Sequence, residues 1–237
     1  MARLVALIPA AGGGARFGGA LPKQYAMLAG LPVIARTLSR LRDAIAPDAM
    51  FVALADDDLH FERLPGKPAD VVTLRCGGGT RAETVRNAIA EFSDHCAGDD
   101  WVIVHDAARP CVPWDALVRL LEHLRDDDVG GLLAVPVADT LKRSDGDADA
   151  PRALATVPRT ALWQAQTPQM FRYEILQRAF ADVAALACTD EAQAVEALGL
   201  RPRLVRGSPA NIKITYPDDL ALAASILAAQ SAEAGHP

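Results

Sequence analysis

Five charged side chains hold the chemistry this chain could do: Arg16 and Lys23 near its start, Asp106 and Arg109 at its middle, and Lys213 near its end. The first two belong to a glycine-rich stretch, Ala10-Ala11-Gly12-Gly13-Gly14-Ala15-Arg16-Phe17-Gly18, and its continuation to Lys23. The stretch follows an apolar run, Leu4-Val5-Ala6-Leu7-Ile8-Pro9. A buried strand that opens into such a loop presents bare backbone N–H groups, which bind anions. Arg16 and Lys23 add fixed positive charge where a polyphosphate would lie. Two familiar phosphate motifs nevertheless fail. Gly13 to Gly18 has the P-loop spacing, but Gly19 stands where the lysine belongs. Gly12 and Gly14 begin a dinucleotide fingerprint, but Phe17 takes the place of its third glycine.

Asp106 and Arg109 belong to Trp101-Val102-Ile103-Val104-His105-Asp106-Ala107-Ala108-Arg109-Pro110, a strand pattern ending in an acid and then a base. In open α/β sheets the carboxyl ends of strands face the ligand crevice, so Asp106 is expected to share a mouth with the glycine loop. Alone, an Asp at a strand end is a turn former or helix cap. Opposite a polyphosphate it suits Mg²⁺, which takes one or two carboxylates together with phosphate oxygens. Arg109 has the fork geometry for a phosphate, whereas His105 reads as a plain strand-end residue. Gly77-Gly78-Gly79-Thr80-Arg81 reads first as a glycine turn before a helix capped by Thr80 and Glu83; the functional reading is that its glycines let a base or ribose approach the backbone. Lys213 falls in an alternating apolar segment. Facing inward it requires a charged partner or ligand, and facing outward it is merely solvated. Thr189-Asp190-Glu191 reads as an N-cap with acids in the first turn.

The elements that must position these groups alternate. Strand patterns fall at residues 4–9, 50–55, 71–74, 101–104 and 132–137, with helical patterns at 33–45, 81–92 and 114–124 between them. This alternation predicts an α/β fold with a mostly parallel, Rossmann-like sheet and helices on both faces. It breaks at Ala138. From Thr140 to Arg159 the chain is polar with short β-like flanks, which predicts an arm over about residues 138–159 leaving the domain body. Helices at 173–187 and 190–198, strands near 203–205 and 212–215, and a last helix after Pro217 complete one domain over residues 1–230. A disordered tail is expected at 231–237.

A net charge of −6 argues against a nucleic-acid or membrane surface, so anionic ligands must be drawn by local basic clusters. The N-terminal apolar run leads straight into the glycine loop rather than a cleavage site, and cytoplasmic residence is expected. Four widely spaced cysteines form no C-x-x-C pair and predict neither a disulfide framework nor a metal site.

In order, the chain carries P-A-A-G-x-G-x-R-x-G followed by P-K-Q, then G-G-x-x-R, V-x-V-H-D-A-A-R-P, D-T-x-K-R, T-P-Q and N-I-K-x-T-x-P-x-D-L. Together these closely resemble the 2-C-methyl-D-erythritol 4-phosphate cytidylyltransferases, a group with the nucleotide-diphospho-sugar transferase fold. The resemblance covers residues 4–227. It implies Mg²⁺-dependent attack of methylerythritol phosphate on the α-phosphorus of CTP in a homodimer joined through the β-arm. It further implies that Arg16, Lys23 and Lys213 are catalytic and that Asp106 carries Mg²⁺ beside the acceptor. Ala10, Ala11, Gly12, Gly78, Gly79 and Thr84 would approach the cytidine. Arg109, Thr140, Arg159, Thr167 and Thr189 would bind the acceptor, with Thr140 and Arg159 donated by the partner's arm. Gly79 stands where many relatives have an acidic residue, which leaves backbone readout there. Ribitol 5-phosphate cytidylyltransferases share the scaffold and are the nearest alternative, with a non-catalytic nucleotide-binding protein behind them. Some relatives continue into a cyclodiphosphate synthase, and a monofunctional enzyme is expected here.

Overall fold

Runs of apolar residues such as Leu4–Pro9 and Trp101–Val104 become strands buried on both faces, the pattern that parallel sheets require. A computed structural model describes residues 2–14, 17–18, 21–146 and 149–234. In chain order the elements are β1 (Leu4–Pro9), β2 (Met27–Leu28), β3 (Leu31–Pro32), α1 (Val33–Ile45), β4 (Ala49–Ala53), β5 (Val71–Leu74), α2 (Arg81–Glu91), β6 (Trp101–Val104) and α3 (Trp114–Leu124). There follow β7 (Gly130–Pro136), β8 (Leu141–Ser144), β9 (Ala153–Val157), β10 (Trp163–Arg172), α4 (Tyr173–Ala179), α5 (Glu191–Glu196), β11 (Arg203–Arg206) and α6 (Asp219–Ala234).

Seven strands form the main sheet in the order β11-β7-β10-β6-β1-β4-β5, all parallel to their neighbours except β10, which runs antiparallel to both β6 and β7. The fold is therefore the mostly parallel α/β architecture that the alternation predicts. On one face α1 and α3 bury Ile34, Leu38, Leu41, Leu117 and Leu120 against Ile8, Val52 and Ile103. On the other, α2, α4 and α5 bury Val85, Leu176 and Val195 against Leu7, Phe51 and Val104. A smaller cluster joins α6, through Ala223 and Leu227, to Leu28, Ala108 and Ile214.

Several expectations need correction. Residues 212–215 form no strand; the backbone N–H of Ile214 donates to the carbonyl of Ala108, in the loop after β6, at 2.9 Å. The helix expected over 173–187 ends at Ala179, because the Asp182 side chain accepts from the Ala184 N–H and starts a separate 3₁₀ turn over Val183–Ala187. The ten-residue β10 and the small β2–β3 hairpin are additions. Their patterns were hidden by the glutamines and Pro168 of β10 and by the two-residue length of β2 and β3. In the polar excursion β8 and β9 pair antiparallel, Leu141 with Val157, as a two-stranded unit separate from the main sheet. Helix α6 continues to Ala234, past Ser231 where disorder was expected.

Candidate active site

Strand order reverses between β1 and β6: the chain steps outward from β1 to β4 and β5, then returns to β6 on the other side of β1. A crevice opens at such a switch point, outside the carboxyl ends of the strands. The glycine loop leaves β1 there and Asp106 follows β6 by two residues.

Among the described residues the N–H groups of Ala11, Gly12 and Gly13 make no backbone hydrogen bond, so they remain open to an anion. Gly14 has φ +67°, and a Cβ there would stand 3.1 Å from the Lys23 side chain. The loop is braced from behind by buried Gln24, whose Nε2 donates to the carbonyls of Ala10 (2.9 Å) and Gly12 (3.2 Å). Lys23 Nζ donates to the Ile214 carbonyl at 2.9 Å, tying the loop to the segment that bears Lys213. Arg16 lies outside the described residues.

Across the crevice, the turn before α2 approaches so closely that a Cβ on Gly77 would stand 2.5 Å from Ala11 Cβ and 2.9 Å from the Leu54 carbonyl oxygen. Thr84 Oγ1 accepts from the Gly78 N–H and donates to the Thr80 carbonyl, both at 3.0 Å. The cap is built differently from the pattern its sequence suggests. Thr80 accepts from the Glu83 N–H at 3.1 Å, but the Glu83 carboxylate accepts from Gly79 (2.7 Å) rather than from Thr80. That bond engages the Gly79 amide within the turn.

Ala10, Ala11, Gly12, Gly78, Gly79 and Thr84 all line one cleft of about 300 Å³, together with Lys23, Arg81, Asp106 and Lys213. At its floor Asp106 meets three cations. Its Oδ1 accepts from Arg81 Nε at 2.9 Å, while Oδ2 lies 2.8 Å from Lys213 Nζ and 3.6 Å from Arg109 Nε. Burial pushes the Asp106 carboxyl up, but the charges of Arg81, Lys213 and Arg109 outweigh it and hold the group well below the usual carboxylate range. Arg81 is held in turn by fully buried Glu191, from Nη1 to Oε1 at 2.5 Å and from Nη2 to Oε2 at 3.1 Å. Lys213 thus takes the inward partner that its position leaves open. Arg81 and Glu191 were missed as site residues. Sequence presents them only as a helix start and a first-turn acid, 110 residues apart, and the charge balance between them is set by the fold.

Buried His105 supports Asp106 from below. Its Nε2–H donates to the Arg109 carbonyl at 3.1 Å, because a carbonyl can only accept. Burial depresses its pKa to about 4, so the ring is neutral and Nδ1 accepts. The donor to Nδ1 is the Thr167 hydroxyl at 3.0 Å, which itself accepts from the Asp106 N–H at 3.0 Å. Thr167 is buried and committed to these two groups.

Arg109 and Lys213 open onto a second pocket of about 520 Å³, walled by Val135, Gln164, Gln166 and Ile212. Arg109 is aimed by the bond from its Nη1 to the Asn211 carbonyl (2.6 Å), and Asn211 is pinned by its own bond to the Thr167 carbonyl (2.8 Å). Neither pocket gathers Thr140, Arg159 or Thr189. Thr140 and Arg159 are exposed near the base of the β8–β9 hairpin, where Arg159 Nη1 donates to the Ala138 carbonyl. Thr189, also exposed, lines a pocket with Leu132 and Ala134, whose side chains lie on the face of β7 opposite Val135.

Among the described residues no three acids, histidines or cysteines converge on one point. Asp106 carries the one carboxylate among the residues that line the cleft. A single carboxylate fits Mg²⁺, which commonly keeps its waters and takes most remaining ligands from substrate phosphates.

Comparison with known proteins decides the family. Residues 4–229 match the 2-C-methyl-D-erythritol 4-phosphate cytidylyltransferase (IspD) family. The chain belongs to this family. A cytidylyltransferase of that name from Laribacter hongkongensis is 52% identical over 234 residues, covering 98% of this chain and 99% of its own. The one from Thiobacillus denitrificans is 50% identical over 233 residues, covering 97% and 100%. Among solved structures, a 4-diphosphocytidyl-2C-methyl-D-erythritol synthase aligns with TM-score 0.84 at 40% identity, covering 96% of this chain and 100% of that one. The IspD of Francisella tularensis aligns with TM-score 0.80 at 35% identity, covering 95% and 100%.

Proposed function

We infer that the chain transfers the cytidylyl group of CTP to 2-C-methyl-D-erythritol 4-phosphate, forming 4-diphosphocytidyl-2-C-methyl-D-erythritol and pyrophosphate. Its family membership supports this. The observation that carries it here is the open glycine loop facing the Asp106–Lys213 pair across one cleft, with a second basic pocket on the far side of Lys213. A phosphate oxygen of the acceptor forms a bond to the α-phosphorus of CTP as the bond to pyrophosphate breaks. Such a transfer depends on positioning and charge compensation and needs no protein nucleophile.

In this reading the amides of Ala11 and Gly12 receive the triphosphate, and the turn at Gly78 and Gly79 flanks the cytidine. Arg16 and Lys23 offset charge developing around the α-phosphoryl group. Asp106 would hold Mg²⁺, which when bound neutralises the phosphate oxygens. Lys213, lining both pockets, draws the acceptor phosphate into line, and Arg109 grips the same phosphate from the second pocket. Thr167 serves the acceptor side through the Asp106 amide and His105 it holds. We assign the exposed Thr140, Arg159 and Thr189 to acceptor capture in a homodimer joined through the β8–β9 arm. The apolar exposure of Leu154 (68%), Leu162 and Trp163 supports that assignment. Cytoplasmic residence is supported by four free thiols; no helix among the described residues is long and apolar enough to cross a membrane.

The test is pyrophosphate release by purified protein with CTP and Mg²⁺, offering methylerythritol 4-phosphate and ribitol 5-phosphate separately. Turnover with the first and little with the second is expected. Preference for ribitol phosphate overturns the acceptor, and silence with both overturns the mechanism.

A further inference from the structure

Arg81 stands on the wall of the nucleotide cleft, where a guanidinium would ordinarily be taken for a phosphate ligand. Its bonding contradicts that role. All three of its nitrogens are engaged by carboxylates: Nε by Asp106 Oδ1 (2.9 Å), Nη1 by Glu191 Oε1 (2.5 Å) and Nη2 by Glu191 Oε2 (3.1 Å). A guanidinium is planar, so fixing both Nη atoms fixes the direction of Nε–H as well.

Glu191 is itself immobilised. It has no exposed surface, and its neighbours are stitched to the buried Gln169 of β10. Gln169 Nε2 donates to Asp190 Oδ2 at 2.9 Å, while its Oε1 accepts from the Ala192 N–H at 2.7 Å. At the other end Arg81 begins α2, directly after the Thr80 cap. The guanidinium is therefore clamped between two helices and the sheet. Glu191 also balances its charge, which removes the pull of a triphosphate on this arginine.

The two Asp106 oxygens consequently differ. Oδ1 is bound to a side chain that cannot leave. Oδ2 lies 2.8 Å from the Nζ of Lys213, whose side chain is 38% exposed, and 3.6 Å from Arg109 Nε, beyond hydrogen-bond reach. We propose that Arg81 and Glu191 are a positioning pair that locks Asp106 through Oδ1 and so presents Oδ2 to the metal–nucleotide complex. This rests on the reading of Asp106 as the Mg²⁺ ligand. Neither member of the pair touches substrate. Partners of metal-ligating carboxylates typically change metal affinity or activity ten- to hundred-fold when removed.

The experiment compares Glu191→Gln and Arg81→Lys with the parent in the full chain. Binding of Mn²⁺ in the presence of CTP is followed by electron paramagnetic resonance, and CTP binding in metal-free buffer by calorimetry. Glu191→Gln keeps one acceptor toward Arg81 but loses the second, and Arg81→Lys cannot reach both acids along fixed directions. The expected result for each is roughly a ten-fold or greater rise in half-saturating Mn²⁺, with metal-free CTP affinity changed by less than about two-fold. Mn²⁺ affinity within about two-fold of the parent overturns the proposal, including when the melting temperature falls, since that is what a merely structural ion pair would give. Should a single variant fail to fold, Arg81→Gln/Glu191→Gln removes both buried charges together, and parent-like Mn²⁺ affinity in it overturns the proposal equally. Asp106→Asn separates the two layers. If it too binds Mn²⁺ as the parent does, the metal reading fails and the pair falls with it; if it alone is impaired, only the pair is wrong.

Discussion

Lys213 is the residue on which the two pockets turn, and its ammonium group is placed by Asp106 at 2.8 Å rather than by packing. Lys213→Ala should lower kcat by about 10²–10³-fold, roughly 3–4 kcal/mol of barrier, as for loss of one preorganised donor. CTP affinity measured by calorimetry should move little, because the glycine loop and the turn before α2 remain; a loss of CTP binding as large as the loss of rate would place Lys213 on the nucleotide instead. His105 leads to a different kind of prediction. Its ordinary pKa of 6.5 is depressed to about 4 by burial, so between those values the unfolded chain takes up a proton that the folded one refuses. Stability is then complete above pH 6.5 and falls as pH drops through the window, by up to about 3 kcal/mol once pH is below 4. A His105→Asn variant lacks this term. It should be less stable than the parent at pH 7, and the gap in urea midpoints should narrow steadily toward pH 4.5; a constant gap would mean that the ring is already charged in the fold.

The turn before α2 places the Gly78 amide within the cleft, and it can do so only because Gly77 has no side chain. A Cβ there meets Ala11 Cβ, Ala55 Cα and the Leu54 carbonyl oxygen, none of them the end of a flexible side chain. Gly77→Ala should therefore destabilise by about 1–3 kcal/mol through overpacking and raise the KM for CTP by displacing the glycine loop at Ala11. Gly79→Ala should do neither, since its Cβ would find only Glu83 Oε2 at 3.4 Å. Thermal melts and KM values for the two variants check the contrast. The same elements explain how far the sequence could be read. Strands β1 and β6 are legible to the residue because burial on both faces leaves unbroken apolar runs, and the edge strand β5 is legible from its β-branched Val71, Val72 and Thr73. Strand β10 is not, because Gln164, Gln166 and Gln169 are used for tertiary hydrogen bonds or pocket walls, and periodicity cannot express that. Residues 212–215 mislead in the opposite sense. Their alternation is real, with Ile214 buried and Lys213 turned to Asp106, but the bond to the Ala108 carbonyl anchors them to a loop instead of a ladder. At the site, the glycine loop and Asp106 are legible because strand ends must meet at a switch point. The Arg81–Glu191 clamp and the His105–Thr167 link are not, because residues 110 and 62 positions apart acquire meaning only through the packing of α2, α5 and β10.

For the molecule as a whole, a single protomer gathers the nucleotide cleft but leaves Thr140 and Arg159 exposed at the base of the arm, lining neither pocket beside Lys213. If the arm completes the partner's acceptor site, each active site is shared between two chains, and defects in different chains must complement one another. Arg159→Ala damages what a protomer gives away; Lys213→Ala damages what it keeps. Each variant alone should be nearly inactive. Unfolding and refolding an equal mixture would make half of the dimers mixed, and in each of these one site pairs an intact Lys213 with an intact Arg159 while the other has neither. Activity should then recover to roughly a quarter of the parent's, as two-fold symmetry with random pairing requires. Recovery depends on exchange of subunits, so mixing without refolding should restore it only as fast as the dimers dissociate. If the refolded mixture stays as inactive as its components, although light scattering shows a dimer, Arg159 serves its own chain and the arm does not carry it across.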